Sequence, residues 1–202
     1  MNIATVQAIR KLFLLAGIAV GVVIFAVTDS VTASGETVHE MIEWGGIVLI
    51  VVCILGRTWS SLYIGGRKIE TLVMTGPYSV CRNPLYFFSI VGAAGVGAQT
   101  GSVALGLVCG ALAWLVFLVV VLQEEKLLVR THDEAYAHYL KSVPRFFPDP
   151  RLWRDEKTLT IYPPRVLMTF ADAMVFLLAV PLAELFEKLR EAGSIPTLLV
   201  LP

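Results

Sequence analysis

The chain has 202 residues, of which 56% are hydrophobic and 16% are charged, and its mean hydropathy is +0.75. Soluble domains carry about 25% charged residues, so this composition excludes an ordinary soluble protein and is typical of a membrane protein. Lysine plus arginine equal aspartate plus glutamate at 16 each, so the charge gives no sign of a nucleic-acid partner. The length leaves room for a helical bundle with modest loops and for no separate soluble domain.

Five apolar stretches follow one another along the chain and predict membrane-spanning helices. The stretches are 12–28, 41–63, 85–98, 103–123 and 166–183. Helix is expected because lipid offers no hydrogen-bond partner to open backbone groups. The sequence therefore predicts an all-α, polytopic integral membrane bundle of about five transmembrane helices, in a single membrane domain that covers 1–202.

Two of these stretches have special features. The third and fourth are joined by only four polar residues, 99–102, which predicts a tight antiparallel helical hairpin whose many glycines let the backbones pack closely. The last stretch is followed closely by charged residues, so it either crosses the membrane or lies in the interface as an amphipathic helix.

Positive charge is concentrated on one side of the predicted bundle. Lysine and arginine lie at the N-terminus and in two long polar segments, 65–84 and 124–164, whereas the loops 29–40 and 99–102 hold none. The positive-inside rule therefore predicts that the N-terminus and both segments face the cytoplasm. A site for a soluble cofactor is expected to be built from these two segments.

Several motifs in these segments point to a binding site. Gly76-Pro77-Tyr78 predicts a turn, and in Arg82-Asn83-Pro84-Leu85-Tyr86 the proline suits the first turn of the next helix. The second segment opens with Glu124-Glu125 and continues through Tyr136 and Tyr139 to Val143-Pro144. The tyrosines at i and i+3 are also typical of one face of an interfacial helix over 131–142.

This ordered set of motifs, with a helical hairpin between its halves, resembles the isoprenylcysteine carboxyl methyltransferase family and the related phospholipid methyltransferases. The resemblance covers about residues 45–150. It implies a first span and outer loop (1–44), a methyltransferase-like core (45–150), and a C-terminal segment (151–202) with a last membrane or interfacial helix. It also implies that S-adenosylmethionine binds at the cytoplasmic membrane edge, covered by the segment that follows the hairpin.

Carried over by position, the resemblance assigns the cofactor contacts. They are Glu70, Thr71, Leu72, Val73, Tyr78, Asn83, Pro84, Leu85, Tyr86 and Glu124. No G-x-G-x-x-G fingerprint is present, so binding in the manner of soluble nucleotide-binding folds is not expected. The cysteines form no close-spaced pair with one another or with histidine, so we expect no metal site.

The candidate catalytic residues are Glu124, Tyr86, Arg57 and Arg145. An amine acceptor needs a base, for which Glu124, Glu125 and Tyr86 are candidates. The prenylcysteine enzymes have an arginine where this chain has Val120, so a carboxylate acceptor would need another counter-ion, either Arg57 or Arg145. Arg57 lies within a predicted span, where a cation is either functional or extends toward the membrane edge.

The sequence predicts an enzyme that transfers a methyl group from S-adenosylmethionine to a membrane-embedded, lipid-like or lipid-anchored acceptor. The reaction is O-methylation of an isoprenylcysteine-type carboxylate or N-methylation of a phospholipid-type amine. The expected partners are this acceptor and membrane lipids, without nucleic acid or metal. The alternatives are a non-catalytic scaffold or interaction bundle with the same fold, and a related membrane reductase that uses a nicotinamide cofactor.

Overall fold

The computed structural model describes residues 21–23, 26, 28–30, 37–64, 72–197 and 199–201. Most of the first predicted span, 12–28, therefore lies outside the described residues. Two predicted cofactor contacts, Glu70 and Thr71, also lie outside them. All helices, strands, contacts and distances given are those of the described residues.

The described chain is built mainly from α-helices. The helices are α1 (Thr37–Ile64), α2 (Pro77–Val80), α3 (Pro84–Ala98), α4 (Val103–Ser142), α5 (Pro163–Met174) and α6 (Ala179–Glu191). Short 3₁₀ helices cover Pro150–Leu152 and Val175–Leu178. Two three-residue strands, β1 (Thr28–Ser30) and β2 (Leu199–Leu201), pair in parallel. This short pairing leaves the predicted all-α class intact.

Three helical runs are long and apolar enough to cross a membrane. They are Thr37–Ile64, Val103–Lys126 and Pro163–Arg190, with 28, 24 and 28 residues. Helix α3 is shorter, with 15 residues. Large apolar side chains such as Trp44, Leu55 and Leu107 are exposed along these runs, as expected where lipid replaces water around a helix. The chain is a membrane protein of the predicted helical kind.

Helix α4 is longer than the sequence pattern indicated. It has 40 residues, which is about 60 Å at 1.5 Å per residue and twice the thickness of a hydrocarbon core. The predicted span 103–123 and the predicted helix 131–142 are parts of this one helix. The reason is that no glycine or proline occurs between Gly110 and Pro144, and the helix ends just ahead of that proline, as proline requires.

Two compact units divide the described residues. One contains the described parts of 1–52, 90–116 and 174–202, and the other contains those of 53–89 and 117–173. The first unit includes the predicted hairpin between α3 and α4. Gly101 turns the chain there with φ +70°, and the Ser102 hydroxyl accepts a hydrogen bond from the Leu105 amide at 3.1 Å.

Candidate active site

The second unit contains a group of polar side chains near the start of α3. Pro84 is the first residue of this helix, where its missing N–H costs nothing. The Asn83 carbonyl accepts hydrogen bonds from the amides of Tyr86 and Phe87, at 3.1 and 3.0 Å. These bonds fix Tyr86 in the first turn of α3.

Tyr86 is held between two side chains of α4. Its hydroxyl donates a hydrogen bond to Oε1 of Glu124 at 2.9 Å, and its ring stacks on Phe117 with centroids 4.8 Å apart. Phe117 and Glu124 are separated by seven residues on α4, so they lie on one face of the helix. The Glu124 carboxylate and the Tyr86 hydroxyl thus form a polar group beside the stacked rings of Tyr86 and Phe117.

Tyr78, in the short helix α2, contributes a second hydroxyl to this region. The residue is 4% exposed, and its hydroxyl has no hydrogen-bond partner among the described residues. Burial raises the pKa of Tyr78 well above its ordinary value, and the neighbouring Tyr139, Tyr86 and Glu124 raise the pKa further. The hydroxyl is therefore a buried, protonated donor within electrostatic range of Tyr86 and Glu124.

The adjacent carboxylate, Glu125, has a different role. It is 8% exposed and accepts two hydrogen bonds from Arg145, from Nε at 3.1 Å and from Nη2 at 2.9 Å. Arg82 forms a second ion pair with it at 3.3 Å. The hydrogen bond to Glu125 raises the pKa of Arg145. Glu125 therefore joins α4 to the turn before α3 and to the chain that follows α4.

A covering segment, residues 143–156, lies against the turn that carries Tyr78. Because this segment has no regular strand or long helix, it satisfies backbone groups through bonds to that turn. These bonds are Arg82 N to Pro144 O at 2.9 Å, Asn83 Nδ2 to Arg145 O at 3.1 Å, Asp149 N to Val80 O at 2.9 Å, and Gly76 N to Arg154 O at 2.7 Å. The segment after the hairpin is thus anchored to the turn that carries Tyr78, and its covering of a bound cofactor stays a prediction.

The end of α1 also holds the covering segment. Trp59 stacks on Trp153 with ring centroids 5.6 Å apart. The Tyr63 hydroxyl lies 3.1 Å from both carboxylate oxygens of Asp155. The segment is therefore fastened to α1 as well as to the turn.

Arg57 of α1 reaches the same helix as Tyr86. Its Nη1 donates a hydrogen bond to the hydroxyl of Ser89, which is one turn after Tyr86 on α3. Its Nε is buried without an acceptor among the described residues. The side chain therefore turns inward, toward α3.

Comparisons with known proteins place this geometry in a family. The phospholipid methyltransferase family model matches residues 44–135, a range that holds Arg57, Tyr78, Tyr86 and Glu124. The chain is 36% identical over 157 residues to the nickel-cobalt-cadmium resistance protein NccN of Alcaligenes xylosoxydans xylosoxydans, covering 78% of this chain and 73% of the relative. The chain belongs to the phospholipid methyltransferase family. The resemblance predicted from the motifs is thereby confirmed at the level of the family.

A second relative is similar to the chain over a comparable length. The cobalt-zinc-cadmium resistance protein CzcN of Cupriavidus metallidurans is 35% identical over 167 residues, which cover 83% of this chain and 77% of the relative. No solved structure matches the chain. The names of both relatives refer to resistance against metal ions. In the described part of this family member, no group of three histidine, cysteine, aspartate or glutamate side chains could hold a metal ion.

The structure brings together some of the residues that the sequence singled out. Tyr78, Tyr86 and Glu124 lie close together, and Pro84 and Leu85 lie beside them at the start of α3. Leu72 packs in an apolar cluster with Tyr136, Tyr139 and Val143. Both tyrosines of this cluster are buried, so they pack inside the unit. Val73 is half-buried at the edge of the described chain.

Two predicted residues have partners that the sequence did not reveal. The side-chain amide of Asn83 donates to the Arg145 carbonyl, so it anchors the covering segment. The Arg145 guanidinium is engaged by Glu125. Sequence reasoning missed Phe117 and Ser89, because an aromatic ring or a hydroxyl inside an apolar span carries the same pattern as ordinary packing. No signal in the sequence distinguishes them.

Proposed function

We propose that the protein transfers a methyl group from S-adenosylmethionine to a lipid-like or lipid-anchored acceptor in the membrane. Membership of a methyltransferase family supports this reaction class. The observation that carries the proposal is the buried Tyr78 hydroxyl, which has no hydrogen-bond partner among the described residues and is near enough to Tyr86 and Glu124 for both to raise its pKa. An unpartnered buried hydroxyl costs about 1–3 kcal/mol, which a ligand with an acceptor atom would offset.

The residues present fit the proposed cofactor. S-adenosylmethionine carries ribose hydroxyls and an ammonium group, and a carboxylate such as Glu124 can accept hydrogen bonds from them. It also carries acceptor atoms to which a tyrosine hydroxyl can donate. The rings of Tyr86 and Phe117 offer flat apolar surface for an adenine. Among the predicted contacts, Tyr78, Tyr86 and Glu124 are therefore the ones that we assign to binding.

The protein's own part in the reaction would be alignment and proton handling. When bound, S-adenosylmethionine supplies a methyl group on an electrophilic sulfonium, so holding the acceptor in line with it contributes most of the rate. An amine acceptor must first lose a proton, and Glu124, which already accepts from Tyr86, is a base within the site. A carboxylate acceptor would need no base.

The two relatives suggest a setting for the activity. Both are named for resistance to metal ions, and we extend the proposal to a contribution of this protein to metal resistance through methylation of a membrane component. Cells whose own copy of the gene is deleted should stay sensitive to cobalt and cadmium when they are complemented with Glu124→Gln. Complementation with the wild-type gene should restore growth. Full restoration by Glu124→Gln at equal protein levels would favour the non-catalytic bundle.

The direct test of the cofactor is calorimetric titration of the detergent-purified protein with S-adenosylhomocysteine. Glu124→Gln should weaken binding by about 1–3 kcal/mol, the range for a lost charge-assisted hydrogen bond, or about 5- to 150-fold. Glu134→Gln is the matched control, because Glu134 is an exposed carboxylate of the same helix. Its affinity should equal that of the wild type.

Three results would contradict the proposal or one part of it. Absence of binding to a folded wild type would remove the cofactor assignment. Equal affinity in Glu124→Gln and wild type would remove Glu124 from the site. Binding of a nicotinamide cofactor by a protein that does not bind S-adenosylhomocysteine would identify the membrane reductase instead.

A further inference from the structure

Arg57 is a cation inside the apolar helix α1, and none of its described neighbours neutralises it. It precedes the end of this helix by seven residues, which is about 10 Å. A guanidinium has five N–H donors, and the described residues supply Arg57 with one neutral acceptor, the Ser89 hydroxyl. Its Nε is buried without a partner in the part of the chain that the structure describes.

The other arginines near the site differ in having a carboxylate partner. Arg82 and Arg145 both pair with Glu125, although the Nε of Arg82 is also buried without an acceptor among the described residues. Arg57 forms no ion pair with any described carboxylate. A cation in a membrane span without a counter-ion is costly, and such residues mark binding sites for anions or substrates.

The position of Arg57 relates it to the proposed reaction centre. Ser89 lies three residues after Tyr86 on α3, so the two side chains share one face of the helix. The Ser89 hydroxyl also donates to the Leu85 carbonyl at 2.8 Å, which fixes its orientation toward Arg57. The guanidinium therefore lies on the face of α3 that carries the Tyr86–Glu124 pair.

We propose that Arg57 binds the anionic oxygens, phosphate or carboxylate, of the membrane-embedded acceptor and so positions its reactive atom at the Tyr86–Glu124 pair. This inference rests on the proposed function, because it names the charged group of the acceptor in that same site. A planar guanidinium matches the oxygen pair of either anion with two parallel hydrogen bonds. The unpartnered Nε and the remaining Nη groups are the donors that it would use.

The proposal can be tested with simple amphiphiles that share one alkyl chain. Dodecyl phosphate, dodecanoate and dodecanol are added in turn to the full chain in non-ionic detergent, and the rise in Tm gives an apparent affinity for each. The wild type should be stabilised by one or both anions and not by dodecanol. Stronger binding of the phosphate would indicate a phospholipid-type acceptor, and stronger binding of the carboxylate would indicate a prenylcysteine-type acceptor. Either preference supports the role of Arg57.

Variants separate a specific site from general attraction of anions. Arg57→Gln should lose about 10- to 100-fold in affinity for the anion, as expected for a lost charge-assisted bond. Arg57→Lys keeps the charge without the fork and should lose less. Arg165→Gln is the matched control, because Arg165 is exposed on α5, and it should bind as the wild type does. Equal losses in Arg165→Gln and Arg57→Gln, or no loss in either, would overturn the inference.

The cofactor measurement keeps this inference apart from the proposed function. Arg57→Gln should retain the wild-type affinity for S-adenosylhomocysteine. If the wild type fails to bind S-adenosylhomocysteine, the proposed function fails, whatever the amphiphiles do. If Arg57→Gln loses that affinity as well, Arg57 belongs to the cofactor site and the inference is wrong.

Discussion

Three tyrosines of the second unit, the half-buried Tyr86 and the buried Tyr78 and Tyr139, differ in how their hydroxyls are used. The hydroxyls of Tyr86 and Tyr139 donate to protein acceptors, Glu124 Oε1 at 2.9 Å and the Tyr78 carbonyl at 2.6 Å. The Tyr78 hydroxyl donates to none that the structure describes. A hydrogen bond within the fold contributes about 1 kcal/mol, while an unpartnered buried hydroxyl lowers stability. This difference is why we propose that the Tyr78 hydroxyl binds a ligand.

This contrast gives a prediction for Tyr78→Phe. Stability should be unchanged or higher by up to about 1 kcal/mol, because the lost hydroxyl has no partner among the residues that the structure describes. Affinity for S-adenosylhomocysteine should fall by about 5- to 10-fold. Tyr139→Phe is the matched control, since it breaks a buried bond and should lower the free energy of unfolding by about 1–3 kcal/mol. Denaturant unfolding and calorimetry measure both quantities. The interpretation is wrong if Tyr78→Phe destabilises the protein and leaves affinity unchanged.

At the residue scale, the sequence singled out polar side chains that the structure brings into contact, but it did not indicate their partners. Their role in a binding site stays a prediction. Glu124 and Glu125 are identical neighbours, yet one faces Tyr86 and the other is enclosed by two arginines. Adjacent residues of a helix point about 100° apart. The sequence therefore indicates that the side chains of Glu124 and Glu125 point in different directions, but not which of them points toward Tyr86. The partners that decide this, Arg82 and Arg145, are distant in sequence from one another.

At the element scale, the hairpin between α3 and α4 depends on close contact between backbones. A Cβ at Gly97 would lie 2.5 Å from the Leu105 carbonyl oxygen and 2.8 Å from Cα of Gly106. These are backbone atoms, so they cannot move aside as a flexible side chain would. The small residues noted in the sequence are therefore needed for packing in lipid.

A pair of glycine substitutions tests this packing. Gly97→Ala should lower the free energy of unfolding by about 1–3 kcal/mol, because the added methyl group forces the two helices apart. Gly45→Ala is the matched control, since a Cβ there meets nothing within 4 Å. It should be neutral or raise stability by about 1 kcal/mol through better helix propensity. Equal effects of the two substitutions on unfolding in detergent would show that the close approach does not stabilise the hairpin.

The limits of the helices were predicted less well than their existence. The hairpin turn is found where its polar residues indicated, because four residues leave room for no other connection. The sequence predicts an end of α4 near 123, where apolar residues give way to charged ones, but the helix continues to Ser142. Hydropathy reports where the membrane ends, whereas a helix ends where glycine, proline or an unfavourable cap interrupts it.

For the molecule as a whole, the charge distribution predicts an orientation that can be measured. Glu40 lies at the start of α1 and Lys157 follows the covering segment, and both side chains are exposed. With the native cysteines replaced, Glu40→Cys should react in intact cells with a maleimide that does not cross membranes. Lys157→Cys should react only after the cells are permeabilised. The reverse pattern would contradict the positive-inside assignment and would place the proposed site on the outer face.

Methyl transfer to a membrane-embedded acceptor can be measured by following the methyl group itself. The purified protein is incubated with a membrane lipid extract and S-adenosylmethionine labelled in its methyl group, and the label is then measured in the organic phase. We predict that the wild type and Glu134→Gln transfer label into lipid, and that Glu124→Gln transfers it about 5- to 150-fold more slowly. A folded wild type that binds S-adenosylhomocysteine yet transfers no label to any lipid fraction would contradict a membrane-embedded acceptor.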